Sequence, residues 1–200
     1  MLVKICGIRT KEAAEAAVQA GADFIGFVFA DSKRNISAER AAIIAQGLPT
    51  QVKKVGVFVD EQPERMIEIA KLVGLDYLQL HGDESVDIAS QLPFNIIKAI
   101  PAEPLHLNKI RGYPCDYYLI DSPSENRGGS GKTFNWELME KYDLDRKKLL
   151  LAGGLTEENV QKAIEIVHPI GVDVSSGVET NGEKDVVKIK RFIHKAKEER

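Results

Sequence analysis

Short β-rich segments alternate with helix-like segments along the whole chain. The first strand is predicted at residues 2–6 (LVKIC), and an Ala- and Glu-rich helix at residues 11–20 follows it, with Thr10 as its N-cap and Gly21 at its end. Apolar runs such as residues 23–29 (DFIGFVF) are typical of parallel strands that are buried on both faces. Eight strand–helix units of about 25 residues each fill the chain, which predicts a single-domain α/β fold, the (β/α)8 TIM barrel. An open doubly wound sheet is the alternative, but it usually has fewer strands and a GxGxxG-like first turn, which is missing here.

Composition narrows the class of protein. Hydrophobic residues make up 44% of the 200 residues and charged residues 28%, as in ordinary globular proteins. A formal net charge of -3 argues against a general nucleic-acid binder. No apolar run approaches the roughly 18 residues of a membrane span, and the N-terminus has no signal-peptide pattern. We therefore predict a cytoplasmic protein with neither a nucleic-acid nor a membrane partner.

The two cysteines, Cys6 and Cys115, fit a reducing compartment. Neither has a CxxC partner or a histidine at metal spacing, so we predict no metal site. The sequence also has no dinucleotide-binding motif, and we predict that the protein uses no cofactor. No helix has an obvious outward apolar face, which favours a monomer.

Small residues follow the last two predicted strands. Gly153 and Gly154 end the seventh strand, and Ser175, Ser176 and Gly177 follow the eighth. In barrels of this type, the loops after these strands bind phosphate, because glycines let the backbone approach an anion and free N–H groups donate to it. The alternative is that the glycines only make tight turns. Two such loops on adjacent strands favour a phosphate site.

A third glycine-rich stretch, residues 128–131 (GGSG), lies in a long polar loop after the sixth strand. It is either another donor loop or a lid that closes over a substrate.

A cysteine and an aspartate end the first and sixth strands, where chemistry sits in such barrels. Cys6 is either an inert core residue or a reactive group at the barrel mouth. Asp121 follows an apolar strand, where a carboxylate is costly to bury without a partner. Together they would form an acid/base pair. Cys115 lies before the sixth strand, and we predict a structural role for it.

Three further polar residues lie at strand ends or in the last strand. Arg34, after the second strand, is either a solvated loop charge or a fork that grips a substrate carboxylate. His81, after the fourth strand, is either an acid/base or a residue that organises its loop. Asp173, in the last strand, either contacts sugar hydroxyls or orients the neighbouring loop.

Nine segments, in order and on the predicted strands and loops, resemble the phosphoribosylanthranilate isomerase family over essentially the whole chain. They are KICGI at residues 4–8, GADFIGFVF at 21–29, SKR at 32–34, VGVFVD at 55–60, LQLHGDE at 78–84, DS at 121–122, GGSGKTFNW at 128–136, LAGGLTEENV at 151–160 and GVDVSSGVE at 171–179.

The resemblance implies a (β/α)8 barrel and the Amadori rearrangement of N-(5-phosphoribosyl)anthranilate, a small phosphoribosyl substrate of tryptophan biosynthesis. It implies that Cys6 is the general base, Asp121 the general acid and Arg34 the carboxylate ligand, with phosphate bound by the turns at residues 153–154 and 175–177. Two departures from the family pattern, Ser130 for Thr and Asn135 for Asp, touch neither the acid nor the base.

Two rival functions stay open from the residues alone. The same barrel hosts other phosphosugar enzymes, although an epimerase would more often show a His and Asp metal set, and a histidine-pathway isomerase an Asp in place of Cys6. A catalytically silent phosphometabolite binder is the other rival. The presence of both Cys6 and Asp121 argues against it.

Overall fold

Eight parallel strands close into a barrel in the computed structural model, which describes residues 1–103, 112–122 and 133–198. Pairing of β1 with both β2 and β8, for example Val3 with Val172, completes the ring. The barrel fold predicted from the alternating pattern is confirmed. The strands are β1 (Leu2–Cys6), β2 (Phe24–Val28), β3 (Lys53–Phe58), β4 (Tyr77–Leu80), β5 (Asn95–Pro101), β6 (Tyr117–Asp121), β7 (Leu149–Leu151) and β8 (Gly171–Val174).

Helices connect most of these strands on the outside of the barrel. Side-chain caps start several of them: Thr10 accepts a hydrogen bond from the Ala13 N–H, and Ser37 accepts one from the Arg40 N–H. The helices of the described residues are α1 (Lys11–Ala20), α2 (Ala38–Gln46), α3 (Pro63–Val73), α4 (Val86–Gln91), a 3-10 helix (Trp136–Lys141), α5 (Val160–Val167), a second 3-10 helix (Ser176–Val178) and α6 (Val186–Lys197). The sequence also predicts a short helix at residues 104–111. That segment and the glycine-rich loop at residues 128–131 lie outside the described residues.

Two helix starts differ from the sequence prediction. The sequence predicts Thr156 as the N-cap of the seventh unit's helix, but a turn intervenes and α5 begins at Val160. The sequence predicts the last helix over residues 184–197, but Lys184 lies in a short hairpin of β9 (Glu179–Thr180) and β10 (Glu183–Lys184). Its turn, Asn181-Gly182, has positive φ at both residues, as favoured two-residue hairpin turns require. Asp185 then caps α6 through the N–H groups of Val187 and Lys188.

Strand alternation divides the buried residues between two sides of the sheet. Val3 and Ile5 of β1 face outward and pack among the helices in the larger apolar cluster. Lys4 and Cys6, at the alternate positions, face the barrel interior. A smaller interior cluster is formed by Phe24, Val55, Ile97, Ala99, Leu119, Leu150 and Ala152. Lys4 is therefore a fully buried cation directly below Cys6, where its charge needs a partner.

Among the described residues, no helix is both long and apolar enough to cross a membrane.

Candidate active site

A cavity opens at the C-terminal mouth of the barrel. It brings together six residues singled out from the sequence: Cys6, Arg34, His81, Asp121, Asp173 and Ser175. The remaining lining residues are Val28, Ala30, Asp31, Ser32, Val57, Val59 and Gln79. The predicted phosphate residues Gly153, Gly154, Ser176 and Gly177 are not among the lining residues. They lie at the exits of β7 and β8.

Charged groups surround the Cys6 sulfur inside the barrel. Lys4 lies two residues earlier on the same strand face and forms an ion pair with Asp173 of β8, with Nζ and Oδ1 2.8 Å apart. Burial raises the pKa of the Cys6 thiol above its ordinary value; Lys4 and Lys184 counteract part of this increase, and Asp173 adds to it. Burial alone would lower the pKa of Lys4, but Asp173 and Cys6 raise it, so Lys4 stays charged. A thiolate at Cys6 would thus face a permanent cation.

Each oxygen of the Asp121 carboxyl has a different neighbour. Its Oδ1 accepts a hydrogen bond from the Ser122 N–H at 2.8 Å, which fixes the plane of the carboxyl group. Its Oδ2 lies 3.6 Å from His81 Nε2. The Gln79 amide lies 3.0 Å from His81 Nδ1, which leaves the other ring nitrogen, Nε2, on the side of Asp121.

The loop that carries His81 is built on a buried ion pair. Glu84 pairs with Lys98 of β5 at 2.7 Å, and Glu84 is also hydrogen bonded to the N–H of Gly82. Lys98 in turn donates to the carbonyl oxygens of Leu80 and Gly82. These contacts fix the backbone on both sides of His81 and so direct its ring toward the cavity.

Arg34 is already engaged by a carboxylate of the chain itself. Its Nε and Nη2 donate to the two oxygens of Glu179 at 2.7 and 2.9 Å. Glu179 lies on β9 and also pairs with Lys184 of β10, whose Nζ donates to the carbonyl oxygen of Ser175 at 2.9 Å. The β9–β10 hairpin therefore links the second and eighth loops of the barrel mouth.

The two small-residue turns lie close to neighbouring backbone. Gly153 and Gly154 both have positive φ, and a Cβ on Gly153 would come within 2.5 Å of the Ser122 nitrogen. A Cβ on Gly177 would lie 1.9 Å from the Leu155 carbonyl oxygen. The exit of β8 therefore packs against the turn after β7 so closely that only glycine fits. The close packing holds the two predicted phosphate loops side by side.

Four residues of this site were not found from the sequence: Lys4, Gln79, Glu179 and Lys184. The first two had a usable signal, since each lies two positions before a mouth residue, Cys6 or His81, on the same strand face. The Asn181-Gly182 turn signalled the hairpin that carries the other two. Nothing in the local sequence indicated that Glu179 would meet Arg34.

Within the described residues, no group of three or more His, Cys, Asp or Glu side chains is arranged to hold a metal ion.

Fold and site together define the class: a (β/α)8-barrel enzyme with candidate acid and base groups at its mouth. A family model described as N-(5'-phosphoribosyl)anthranilate (PRA) isomerase matches residues 3–195. A curated relative of that name from Oceanobacillus iheyensis is 53% identical over 195 residues, covering 96% of this chain and 95% of the relative. The chain belongs to the N-(5'-phosphoribosyl)anthranilate isomerase family, as the resemblance predicted, and it is an enzyme.

Solved structures agree with this assignment. Phosphoribosyl anthranilate isomerase from Thermotoga maritima has a TM-score of 0.89 and 42% identity, covering 98% of this chain and 99% of that one. A structure of monomers generated from that dimeric enzyme has a TM-score of 0.87 and 41% identity, covering 98% of both chains. A third isomerase, in complex with reduced 1-(o-carboxyphenylamino)-1-deoxyribulose 5-phosphate, has a TM-score of 0.82 and 39% identity, again with 98% of both chains covered.

Proposed function

We propose that this chain catalyses the Amadori rearrangement of N-(5-phosphoribosyl)anthranilate to 1-(2-carboxyphenylamino)-1-deoxyribulose 5-phosphate, a step of tryptophan biosynthesis. The observation that carries the proposal is the shared cavity of Cys6 and Asp121, with Arg34 on its wall. Family membership supports the reaction, and a related isomerase binds the reduced form of this product.

Asp121 is the general acid in this proposal. It protonates the furanose ring oxygen while the anthranilate nitrogen pushes in its lone pair, and the ring opens to a Schiff base. The Ser122 N–H and His81 orient the carboxyl group, one on each oxygen. Burial of Asp121 excludes water that would hydrolyse the imine.

Cys6 is the general base. As a thiolate it takes the proton from the sugar C2, and the resulting enolamine tautomerises to the ketone. Burial opposes formation of the thiolate. The ammonium of Lys4, which lies below Cys6 in the barrel, offsets part of this effect. Asp173 keeps that ammonium in place with one oxygen. The other carboxylate oxygen of Asp173 binds the sugar hydroxyls in this proposal.

The phosphate and the carboxylate of the substrate bind at sites away from the reacting carbon. We assign the phosphate to the turns at Gly153-Gly154 and Ser175-Ser176-Gly177 and the carboxylate to Arg34. Binding energy from these remote groups positions C2 against Cys6. The close packing of the two turns supports the phosphate assignment, because it places backbone rather than side chains at the exits of β7 and β8.

Gly177→Ala is expected to weaken binding of inorganic phosphate by about tenfold or more. The added Cβ would overlap the Leu155 carbonyl oxygen and push the two turns apart, at a cost of about 1–3 kcal/mol in stability. Titration calorimetry with inorganic phosphate and urea unfolding measure the two effects. Gly47→Ala is the matched control, because its new Cβ would have no neighbour closer than 3.6 Å. Wild-type phosphate affinity in Gly177→Ala would contradict the assignment.

The proposed reaction is tested by a direct assay. Anthranilate and phosphoribosyl pyrophosphate are coupled with a transferase to make the labile substrate in place, and loss of its fluorescence is followed on addition of this protein. Rapid decay supports the proposal. Absence of decay, with phosphate or phosphosugar binding retained, would reassign the barrel to another phosphosugar or to a silent binder.

We further propose that the chain acts as one monomeric catalytic domain in the cytoplasm. The exposed large apolar side chains are scattered over separate elements, for example Ile43 on α2, Leu72 on α3 and Val187 on α6. Their placement on separate elements of the described residues supports the proposal of a monomer. Light scattering at micromolar concentration is expected to give the mass of one 22.1 kDa chain. A stable doubled mass would contradict the monomer.

A further inference from the structure

Glu179 occupies only one edge of the Arg34 guanidinium. A guanidinium is planar and carries five N–H donors. Nε and one proton of Nη2 form one edge, and these bind Glu179. Nη1 and the second proton of Nη2 form the other edge, and no hydrogen bond from Nη1 is found to any described residue. A second carboxylate can therefore bind Arg34 without displacing Glu179.

Glu179 is itself held firmly. Lys184 pairs with its carboxylate, and Lys188 donates to its backbone oxygen at 2.8 Å. Burial alone would raise the pKa of Glu179, but hydrogen bonds from Arg34 and Lys184 bring it below the ordinary value. Glu179 is thus an anion at neutral pH, anchored on the hairpin whether or not a ligand is present.

The stem of Arg34 lies against the end of β1. A Cβ on Gly7 would come within 2.7 Å of the Arg34 Cδ, so the glycine next to Cys6 leaves room for the arginine. The side chains of Arg34 and Glu179 are only 18% and 11% exposed. With its stem against Gly7 and one edge on Glu179, the guanidinium has little freedom, and Arg34 still lines the cavity that contains Cys6.

We propose that Glu179 is a specificity-determining positioning residue, which holds Arg34 by its Nε edge so that the Nη1–Nη2 edge receives the carboxylate of the ligand. This inference rests on the proposed function, in which Arg34 binds the anthranilate carboxylate. Because the guanidinium is already ordered in the free protein, a carboxylate can bind Arg34 without the entropy cost of ordering this half-buried side chain.

Two ligands that differ only in the carboxylate test the inference. One is reduced 1-(2-carboxyphenylamino)-1-deoxyribulose 5-phosphate, and the other is the same compound with an unsubstituted phenyl ring. Calorimetry gives the ratio of their affinities for the wild type, Glu179→Gln and Glu183→Gln. Glu183 lies on the same hairpin, but it pairs with Arg9 and its side chain is 67% exposed, so it is the matched control.

In the wild type, the carboxylate is expected to improve affinity by about 10- to 100-fold, the range of hydrogen bonds to charged groups. In Glu179→Gln the ratio is expected to fall about tenfold, with affinity for the phenyl compound unchanged within about twofold. KM should rise more than kcat falls. Glu183→Gln should keep the wild-type ratio. Arg34→Lys keeps the positive charge but replaces the planar guanidinium with a single ammonium group, so it should lose the preference for the carboxylate ligand. This variant tests the inference even if Glu179→Gln does not fold.

Three outcomes would overturn the inference. Equal weakening for both ligands in Glu179→Gln would mean a merely structural role. Tighter binding of the carboxylate ligand would mean that Glu179 competes with it. An Arg34→Lys variant that keeps the full ratio would show that the second edge is not used. Failure of the proposed function is separate, since it would appear as absence of turnover or of any carboxylate preference in the wild type.

Discussion

Replacing Cys6 by serine is expected to lower kcat by about 10²- to 10⁴-fold, the usual contribution of a general base. A serine hydroxyl has nearly the same size as the thiol but ionises far less readily, so the ammonium of Lys4 would have no thiolate to stabilise. Binding of the reduced product analogue should survive, because the phosphate turns and Arg34 are unchanged. The fluorescence assay measures the first effect, and calorimetry measures the second.

Cys115→Ser is the control for this variant. Cys115 lies before β6, at the opposite end of the barrel from the cavity, and is half-buried. Wild-type turnover is expected for it. Unchanged turnover in Cys6→Ser would remove Cys6 from the mechanism, and loss of both turnover and analogue binding would indicate a damaged fold instead.

Asp121→Asn is expected to lower kcat by a similar factor, with little change in KM. An amide cannot deliver a proton to the ring oxygen, although it can still accept the hydrogen bond from the Ser122 N–H and so keep its place. Single-turnover measurements on the fluorescent substrate separate the slowed chemical step from binding.

Asp87→Asn serves as the comparison, since it makes the same chemical change at an exposed position in the first turn of α4. We expect it to turn over substrate at the wild-type rate. If Asp121→Asn also retained most of its activity, the acid would have to be another group at the mouth, and His81 would be the first to examine.

Much of this architecture could be predicted because it depends on local patterns. Continuous apolar runs of four to seven residues, each followed by an amphipathic segment, leave a parallel sheet covered by helices as the natural arrangement. The N-cap Thr10 and the terminal glycine, Gly21, placed both boundaries of α1 correctly. Parallel strands in a closed ring direct all C-terminal ends to one mouth, which is why Cys6 and Asp121 could be placed together from strand positions alone.

Two predicted helix starts were wrong because a neighbouring turn competes with the helical pattern. Lys184 begins an apparent helical pattern, but the Asn181-Gly182 turn places it on β10, and Asp185 is the true cap. Thr156 is a plausible cap, yet the Asn159 side chain bonds to the backbone on both sides of Leu155 and holds a turn there instead.

The sequence by itself determined the fold class, the family and the residue types at the mouth, because strand and helix periodicity and short motifs are properties of neighbours along the chain. Only the tertiary structure decided what surrounds those residues. Lys4 meets Asp173 across 169 positions, and Arg34 meets Glu179 across 145. Such pairs form because closing the barrel buries charges that must then be neutralised. Strand register and loop packing, and no local pattern, decide which charges meet.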